Sequence, residues 1–340
     1  MLVVHHPDQA LHDPEHVFRM GQFLPQPDRA ERYHIFLAQA SRHASRIVEA
    51  PIGGLEPVLA VHDADYVRFF ETVWQRWRSV PGAGPVVIPS VHPTHRMRRK
   101  PEDLLGELGW YSNSTSCPIT EGSFTAAFAS ACSAVHAADL LMEGAGNAIY
   151  ALCRPPGHHA YADLMSGVCF FNNAAIAAQR LRSRFDKVAI VDIDVHHGNG
   201  TQDIFWARDD VLFASLHVDP RHGPPYYAGY ADEIGEGAGR GLTLNLPMPI
   251  GTGDADYLAA LDRVFAAIAA FGPSAIVVSM GLDASAHDPV QTFGISNEGF
   301  HEIARRIDAL PMPKLLVQEG GYLSPNLGAC LGAFLSGFRH

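Results

Sequence analysis

The stretch KVAIVDIDVHHGNG, residues 187–200, decides the fold. Residues 188–191 are a continuous run of apolar residues, which is typical of a strand buried on both faces of a parallel sheet. Two aspartates and two histidines follow directly, at Asp192, Asp194, His196 and His197. In open parallel sheets, ligands bind beyond the carboxyl ends of the strands. The stretch therefore predicts a parallel sheet with a polar site at one edge.

Seven further apolar runs have the character of strands. They are LVVHH (2–6), VLAVH (58–62), AIYALC (148–153), VLFASLHV (211–218), GLTLNLP (241–247), AIVVSMG (275–281) and KLLVQEGG (314–321). Helical patterns lie between most of them, at 64–78, 122–143, 171–184, 254–271, 297–309 and 326–338. In the pattern at 254–271, Asp254 is the expected N-cap and Gly272 the expected end.

This alternation predicts an α/β/α sandwich with a central, mostly parallel sheet of about eight strands. We expect residues 1–340 to form a single catalytic domain. One stretch, at about 81–120, breaks the alternation, because some forty residues there show little periodicity. Loops of this length are usually functional, interfacial or disordered.

Composition excludes several classes of function. The net charge of −11 disfavours nucleic acid as a partner and is compatible with a cationic substrate. Five cysteines without a C-x-x-C pair argue against disulfides and against a cysteine-rich zinc site, and they favour a cytoplasmic location. The N-terminus lacks the features of a signal peptide, and we expect no stretch to approach the roughly 20 apolar residues that span a membrane.

Three other strand ends also carry polar residues. AIYALC leads into RPPGHH (154–159), AIVVSMG leads into Asp283, and KLLVQ leads into EGGY (319–322). Because the carboxyl ends of parallel strands meet at one edge of the sheet, we expect these side chains to converge with those that follow residue 191.

Asp194 and His196 have the spacing of two metal ligands, since residues i and i+2 of an extended chain project to the same side. Asp283 can join them from a neighbouring strand. Two carboxylates and one imidazole leave an open position for water, as a catalytic metal site requires. In the simpler alternative Asp194 and His196 only cap a turn, but this leaves the three other polar strand ends unexplained.

Five motifs resemble those of the zinc-dependent histone deacetylase family. They are RPPGHHA (154–160), SGVCFFNNAA (166–175), DIDVHHGNGTQ (192–202), GLDASAHDP (281–289) and EGGY (319–322). Three more segments resemble one branch of that family, the acetylpolyamine amidohydrolases: ELGWYSNSTSCPIT (107–120), YYAGYADEIGEGAG (226–239) and NLPMPIGTGD (245–254). The resemblance implies the arginase–deacetylase fold.

The resemblance also implies a role for each site residue. Asp194, His196 and Asp283 become the zinc ligands. His158 and His159 become the catalytic histidine pair, with His159 the general base and acid. Asp192 is expected to orient His158, Asn199 to orient His159, and Tyr322 to donate a hydrogen bond to the transition state. A structural potassium ion is expected at Asp192, Asp194, His196, Ser215 and Leu216.

The substrate tunnel departs from the family pattern. An aromatic residue usually stands between Gly167 and Cys169, but here the residue is Val168. The opposite wall is expected to keep an aromatic residue, Tyr226 or Tyr227. The expected substrate is a small cationic acetylated amine such as acetylputrescine or acetylcadaverine. An acetyl-lysine peptide or a neutral xenobiotic amide remains an alternative, and carboxylate and imidazole ligands also suit Fe(II).

The branch resemblance further implies a homodimer. Its insertion, here at 81–120, is expected to pair two subunits and to narrow the entrance. Acids in this segment, at Glu102, Asp103 and Glu107, are expected to favour a cationic substrate tail.

Other classes of protein fit less well. A two-metal arginase-like site would need aspartates at positions 198 and 285, which are glycine and serine. A serine hydrolase of the α/β type would need a G-x-S-x-G elbow, which the sequence lacks. A non-enzymatic scaffold protein is expected to have lost a ligand, a tandem histidine or the tyrosine, and this sequence keeps all of them.

Overall fold

The computed structural model describes residues 1–92 and 98–338. Its strands are β1 (Leu2–His5), β2 (His16–Arg19), β3 (Gln22–Pro25), β4 (Arg46–Glu49), β5 (Ala148–Ala151), β6 (Val188–Asp192), β7 (Val211–Val218), β8 (Thr243–Met248), β9 (Ala275–Met280) and β10 (Lys314–Gln318). Eight of them form one sheet in the order β4-β1-β5-β10-β9-β6-β7-β8, and every neighbouring pair is parallel. Strands β2 and β3 form a separate antiparallel hairpin.

Helices cover both faces of the sheet. They are α1 (Ala30–Ala40), α2 (Glu56–Leu59), α3 (Ala64–Arg78), α4 (Leu104–Trp110), α5 (Ser123–Met142), α6 (Asn173–Leu181), α7 (Asn199–Phe205), α8 (Asp254–Phe271), α9 (Asn297–Asp308) and α10 (Leu327–Ser336). One face packs against α1, α8, α9 and α10, and the other against α5, α6 and α7. Alternate strand residues serve the two faces, as Val277 and Val278 do. The predicted α/β/α sandwich is confirmed.

The sequence misplaced one strand of the sheet. VLAVH (58–62) is not a strand, because Glu56–Leu59 form helix α2 with Pro57 in the first turn, where a proline costs no hydrogen bond. The missing strand is β4, which lies at the sheet edge and pairs with β1. Its four residues are mostly exposed, so it lacks the continuous apolar run that marks the inner strands.

Helix α8 has the predicted end but not the predicted start. Gly272 adopts the left-handed conformation at the C-cap. The N-cap is Gly253 rather than Asp254. The Asp254 carboxylate instead accepts hydrogen bonds from the backbone N–H and the hydroxyl of Ser296, so it links the start of α8 to the start of α9.

The insertion at 81–120 is more ordered than its pattern predicted, although residues 93–97 lie outside the described part of the chain. It contains helix α4, and Val87 pairs with Ile119 in an antiparallel bridge. Tyr111 and Cys117 are buried against Phe69 and other residues of helix α3. The segment therefore shares a buried cluster with the rest of the domain.

Helix α5 corrects the expectation about apolar stretches. Among residues 1–92 and 98–338 it is the one helix that is long and apolar enough to cross a membrane, by length and composition alone. Most of it is buried against β1, β5 and α6, so it serves as a core helix of this fold. All five cysteines are buried as free thiols.

Candidate active site

Four neighbouring strands bring the predicted polar residues to one edge of the sheet. Strands β5, β10, β9 and β6 are adjacent in that order at its centre. The tandem histidines follow β5, the EGGY segment follows β10, Asp283 follows β9, and Asp194 and His196 follow β6. Because all four strands are parallel, their carboxyl ends open onto the same space.

The expected metal ligands form a tight group. One ligand atom each from Asp194, His196 and Asp283 lies within 4.8 Å of the other two. The His196 Nδ1 atom is 3.2 Å from Asp194 Oδ1 and 3.0 Å from Asp283 Oδ2. These two hydrogen bonds raise the pKa of His196 to about 10, although burial opposes the shift. Two carboxylates and one imidazole in this arrangement form a donor set that suits a divalent metal ion.

Backbone N–H groups donate hydrogen bonds to one oxygen of each carboxylate. Asp194 Oδ2 accepts from Gly320 N at 2.8 Å, and Asp283 Oδ1 accepts from Val195 N at 3.0 Å. The second oxygen of each aspartate faces His196. Metal-ligating carboxylates are usually oriented by hydrogen bonds of this kind to their other oxygen. A Cβ atom at Gly320 would stand 2.4 Å from Asp283 Oδ2 and 2.5 Å from Asp194 Oδ2, so only glycine fits there. The residues present fit a bound metal ion.

The two tandem histidines have the partners that the motifs implied. His158 Nδ1 lies 2.9 Å from Asp192 Oδ2, and His159 Nδ1 lies 2.6 Å from Asn199 Oδ1. The amide oxygen of Asn199 can only accept, so His159 carries its proton on Nδ1 and leaves Nε2 as the basic nitrogen. Thr201 N donates to His158 O, which ties helix α7 to the histidine pair.

The environment moves the two histidines in opposite directions. Burial alone would lower the pKa of His158, but the carboxylates of Asp192 and Asp194 raise it well above its ordinary value. Burial lowers the pKa of His159 well below its ordinary value, and the charges on His158 and His196 add to this effect. The site therefore favours the charged form of His158 and the neutral form of His159, which is the separation that acid–base chemistry uses.

Tyr322 lies at the same edge and is 8% exposed. Burial raises the pKa of its phenol well above the ordinary value, and the charges of Asp283 and Asp194 act in the same direction. The hydroxyl therefore stays protonated and can act as a hydrogen-bond donor.

Two buried arginines near this tyrosine were not predicted from the sequence. Arg32 donates to the carbonyl oxygens of Glu319 and Gly321, and its guanidinium lies 5.0 Å from the centre of the Tyr322 ring. Arg154 donates to Asp28, which also pairs with Arg32. Apart from the pair of Asp28 and Arg32, which are four residues apart, these contacts join residues more than a hundred positions apart. No local sequence pattern could therefore predict them.

Glu319 is a further residue without a predicted role. Its carboxylate accepts from the backbone N–H groups of Gly157 and His158 and from the Ser279 hydroxyl. Burial raises its pKa to about 7. It therefore joins the ends of β5, β9 and β10 beneath the histidine pair, and its place in the EGGY motif was the only signal for it.

The expected tunnel residues Gly167 and Val168 form a tight turn beside His159. Backbone hydrogen bonds in both directions between Ser166 and Cys169 close the turn. Both central residues have positive φ, +49° at Gly167 and +65° at Val168. A β-branched residue is strained in this region. A Cβ atom at Gly167 would stand 2.4 Å from His159 Cδ2, so the turn lies directly against that imidazole.

The two tyrosines expected on the opposite wall differ in their contacts. The Tyr227 hydroxyl accepts from Asn199 Nδ2 at 3.4 Å and from Asn113 Nδ2 at 3.0 Å. The Tyr226 side chain is 60% exposed. Tyr227 therefore contacts Asn199, which is the hydrogen-bond partner of His159. Through Asn113, Tyr227 also contacts the insertion segment.

The residues expected to bind potassium lie at the ends of β6 and β7. Asp192 is paired with Ser215 in the register of these strands, and Leu216 follows on β7. Ser215 Oγ lies 2.8 Å from His217 Nδ1. Potassium binding stays a prediction.

The acids of the insertion all have partners within the chain. Glu107 is nearly buried and pairs with Arg76 and Lys100. Glu102 pairs with Arg99. Asp103 caps helix α4 through Leu105 N. Glu107 is therefore neutralised by its two cationic partners, whereas Asp103 keeps its charge, and attraction of a cationic tail by these acids stays a prediction.

A parallel α/β sheet whose central strand ends carry a candidate metal-ligand group and a histidine pair has the groups that metal-assisted hydrolysis requires. Residues 24–338 match the protein family described as the histone deacetylase domain. The chain is 42% identical over 339 residues to the acetylpolyamine amidohydrolase of Mycoplana ramosa, with 99% of each chain covered. It is also 42% identical over 344 residues to acetylpolyamine amidohydrolase 1 of Pseudomonas aeruginosa, covering 100% of this chain and 99% of that one.

A solved structure of an acetylpolyamine aminohydrolase from Burkholderia pseudomallei has the same fold. It matches with a TM-score of 0.96 at 40% identity, covering 99% of this chain and 98% of that one. The chain belongs to the histone deacetylase family, in the branch of the acetylpolyamine amidohydrolases, as its motifs predicted. It is accordingly a hydrolase of acetylamide bonds.

Proposed function

We propose that this protein is a zinc-dependent amidohydrolase that removes the acetyl group from acetylpolyamines such as acetylputrescine and acetylcadaverine. The products are acetate and the free amine. One observation carries the chemistry: the ligand group of Asp194, His196 and Asp283 lies at the same sheet edge as a histidine pair with opposite pKa shifts. Similarity over the full chain to acetylpolyamine amidohydrolases supports the substrate.

Asp194, His196 and Asp283 would hold the metal ion. When bound, a zinc ion supplies polarisation of the amide carbonyl and makes the attacking water more acidic. The neutral His159 accepts the proton of this water on Nε2, because its Nδ1–H is donated to Asn199. The same nitrogen then returns the proton to the leaving amine.

The remaining groups stabilise the charge that develops on the substrate. The charged His158, held by Asp192, lies beside His159 with 4.1 Å between the ring centres. Tyr322 donates its phenolic hydrogen to the developing oxyanion. Gly167, Val168, Tyr226 and Tyr227 line the path of the acetylated chain.

Val168 favours a second substrate class. A valine in place of an aromatic residue widens one wall of the tunnel and removes a stacking surface. A neutral aromatic amide or an acetyl-lysine peptide then competes with the acetylpolyamine. The negative charge of the chain favours the cationic amine among these three.

The wider setting of the enzyme is part of the proposal. Residues 1–340 act as one catalytic domain, in the cytoplasm, as a homodimer that pairs through the insertion at 81–120. A structural potassium ion binds at Asp192, Asp194, His196, Ser215 and Leu216, and no nucleic acid or membrane is a partner.

A deacetylation panel tests the substrate. Purified protein is stripped with a chelator, reloaded with Zn²⁺ or Fe²⁺, and assayed on acetylputrescine, acetylcadaverine, acetylspermidine, an acetyl-lysine peptide and a neutral acetanilide. The expected result is the highest kcat/KM on the two acetylated diamines, with His159→Ala inactive on every substrate. A higher kcat/KM on the peptide or the anilide would replace the proposed substrate, and no acetate release from any of the five would contradict the function.

A further inference from the structure

Asp288 lies in the GLDASAHDP segment, is almost fully buried, and is not among the residues assigned to the reaction above. Its Oδ2 accepts from Tyr322 N at 2.7 Å, and its Oδ1 accepts from Val290 N at 2.9 Å. Because one oxygen of this buried carboxylate accepts a hydrogen bond from the backbone of Tyr322, Asp288 can fix the position of that tyrosine.

The peptide bond between residues 321 and 322 is held at both of its polar ends. Its carbonyl oxygen, on Gly321, accepts from Arg32 Nε at 2.5 Å, and its N–H, on Tyr322, donates to Asp288. A guanidinium thus faces the oxygen and a carboxylate faces the hydrogen. The bond from the Arg32 guanidinium is charge-assisted, and such bonds are about twice as strong as neutral ones. Burial raises the pKa of Asp288 to about 7, and the charge of Asp283 adds to the shift, so the bond to Tyr322 N gains this strength in the ionised form of Asp288.

This arrangement resists a flip of the peptide plane. Gly321 has φ of +106°, a conformation in which glycine gives little steric resistance of its own to rotation. A flipped plane would turn the carbonyl oxygen toward the Asp288 carboxylate and the N–H toward the Arg32 guanidinium. Both contacts would be repulsive in a site from which water is excluded.

We infer that Asp288 is a positioning residue for catalysis: with Arg32 on the opposite side, it locks the 321–322 peptide and so directs the Tyr322 hydroxyl to the reacting carbonyl. The inference rests on the proposed function only in the role given to Tyr322. Asp288 itself does not touch the substrate. Its removal should therefore affect the transition state far more than the binding of substrate.

The kinetic test compares Asp288→Ala in two backgrounds, on the best substrate of the panel. In the wild-type background kcat should fall ~10- to 100-fold, because a displacement of about 1 Å in a catalytic group has this effect. The KM should stay within about twofold, since the lost interaction is made in the transition state. In the Tyr322→Phe background the same substitution should change kcat by less than about twofold, because no hydroxyl remains to be positioned.

Ser285→Ala is the matched control. Ser285 is a buried polar residue of the same segment whose hydroxyl accepts from His287 N. The Ser285→Ala variant should reproduce any general loosening of the segment at 281–289, and its kcat should stay close to that of the wild type. Equal losses of kcat from Asp288→Ala with and without the Tyr322 hydroxyl would overturn the inference.

A second measurement does not depend on catalysis. Hydrogen–deuterium exchange of a peptide covering residues 319–325 should be faster in Asp288→Ala than in Ser285→Ala, with the metal content of both variants equal to that of the wild type. Unchanged exchange in this peptide would overturn the lock even if no substrate is found. Conversely, faster exchange in an enzyme that is inactive on the whole panel would support the lock while contradicting the proposed function.

Discussion

At the scale of single residues, the metal group is the feature on which the chemistry depends. Asp283 should be indispensable for holding the ion, because it supplies one of three ligand atoms and its other oxygen is fixed by Val195 N. Asp283→Ala should lose the metal, whereas His159→Ala, which removes no ligand, should keep it. Metal analysis of the purified proteins measures this, with about one transition-metal ion per wild-type chain expected. A stoichiometry near two, with activity following the second ion, would contradict a mononuclear site.

Of the two positions that decide between one metal and two, position 198 has a physical reason for lacking aspartate. A Cβ atom at Gly198 would stand 2.1 Å from Asp192 Oδ2, so no side chain fits there without displacing the partner of His158. Ser285 uses its hydroxyl to accept from the backbone N–H of His287. A single metal ion therefore agrees with the packing as well as with the sequence.

Val168 should set the preference between slender and bulky amides. Val168→Phe restores an aromatic wall and narrows the path, so kcat/KM for the acetanilide should fall ~10-fold relative to acetylputrescine, within the range that small changes in a pocket produce. Val168→Ala, which keeps the path wide, should preserve the wild-type ratio. Kinetics on both substrates with the three proteins would decide the point, and an unchanged ratio in Val168→Phe would show that this turn does not select the substrate.

The sequence located the residues of the candidate site better than the residues that hold them in place. Asp194, His196 and Asp283 were identifiable because spacing along a strand and the order of strand ends are local signals. Arg32 and Asp288 were not, because one lies on an amphipathic helix and the other in a loop, and their shared target at Tyr322 appears only once the chain has folded. Charged side chains are rarely buried, so a sequence pattern gives no reason to expect them there.

At the scale of elements, helix α6 is anchored by a buried histidine. His62 Nε2 accepts from the backbone N–H of Asn172, the N-cap residue of α6, and His62 Nδ1 contacts the carbonyl oxygen of Ala162. Both contacts use the neutral imidazole, with its hydrogen on Nδ1. Burial lowers the pKa of His62 from 6.5 to about 4, so a proton on this ring opposes the native structure.

The pH dependence of stability follows from that shift. Because the folded-state pKa of His62 is lower than that of the unfolded chain, its contribution is complete above pH 6.5 and is lost as the pH falls toward 4, by on the order of 3 kcal/mol. His62→Gln keeps a neutral donor and acceptor, so its free energy of unfolding should fall less between pH 7 and pH 5. Urea unfolding at both pH values measures this. The exposed His16→Gln is the control, and equal losses in all three proteins would contradict the assignment.

The elements also show where periodicity fails as a predictor. The inner strands were found because burial on both faces requires continuous apolar runs. Strand β4 was missed because it lies at the edge of the sheet, where a strand can be paired and still be mostly exposed. The residues at 58–62 were misassigned as a strand because a helical turn that starts with a proline can have the same sequence of apolar residues. Periodicity reports burial, so it found the buried strands and the half-buried helices such as α3 and α9 but not a strand that is mostly exposed.

At the scale of the whole molecule, the insertion at 81–120 has an inner side and an outer side. Val87, Tyr111, Cys117 and Ile119 belong to a buried cluster with α3, whereas Val91 and Leu105 are 51% and 46% exposed. Its link to the histidine pair runs through Asn113 and Tyr227. Shortening the segment would therefore damage the fold of the subunit, and only substitutions on the outer side can test the proposed dimer.

Val91→Glu combined with Leu105→Glu should separate the proposed dimer while leaving the core of each subunit intact. Two exposed apolar residues in one segment are suited to an interface, and a buried carboxylate there would cost several kcal/mol on association. The mass in solution should fall from that of two chains to that of one, and activity on an acetyl-lysine peptide should rise relative to acetylputrescine as the entrance widens. Ile250→Glu, at an equally exposed apolar residue outside the insertion, should change neither property. A doubly substituted protein that stays dimeric with the same substrate ranking would show that the insertion neither pairs the subunits nor restricts the entrance.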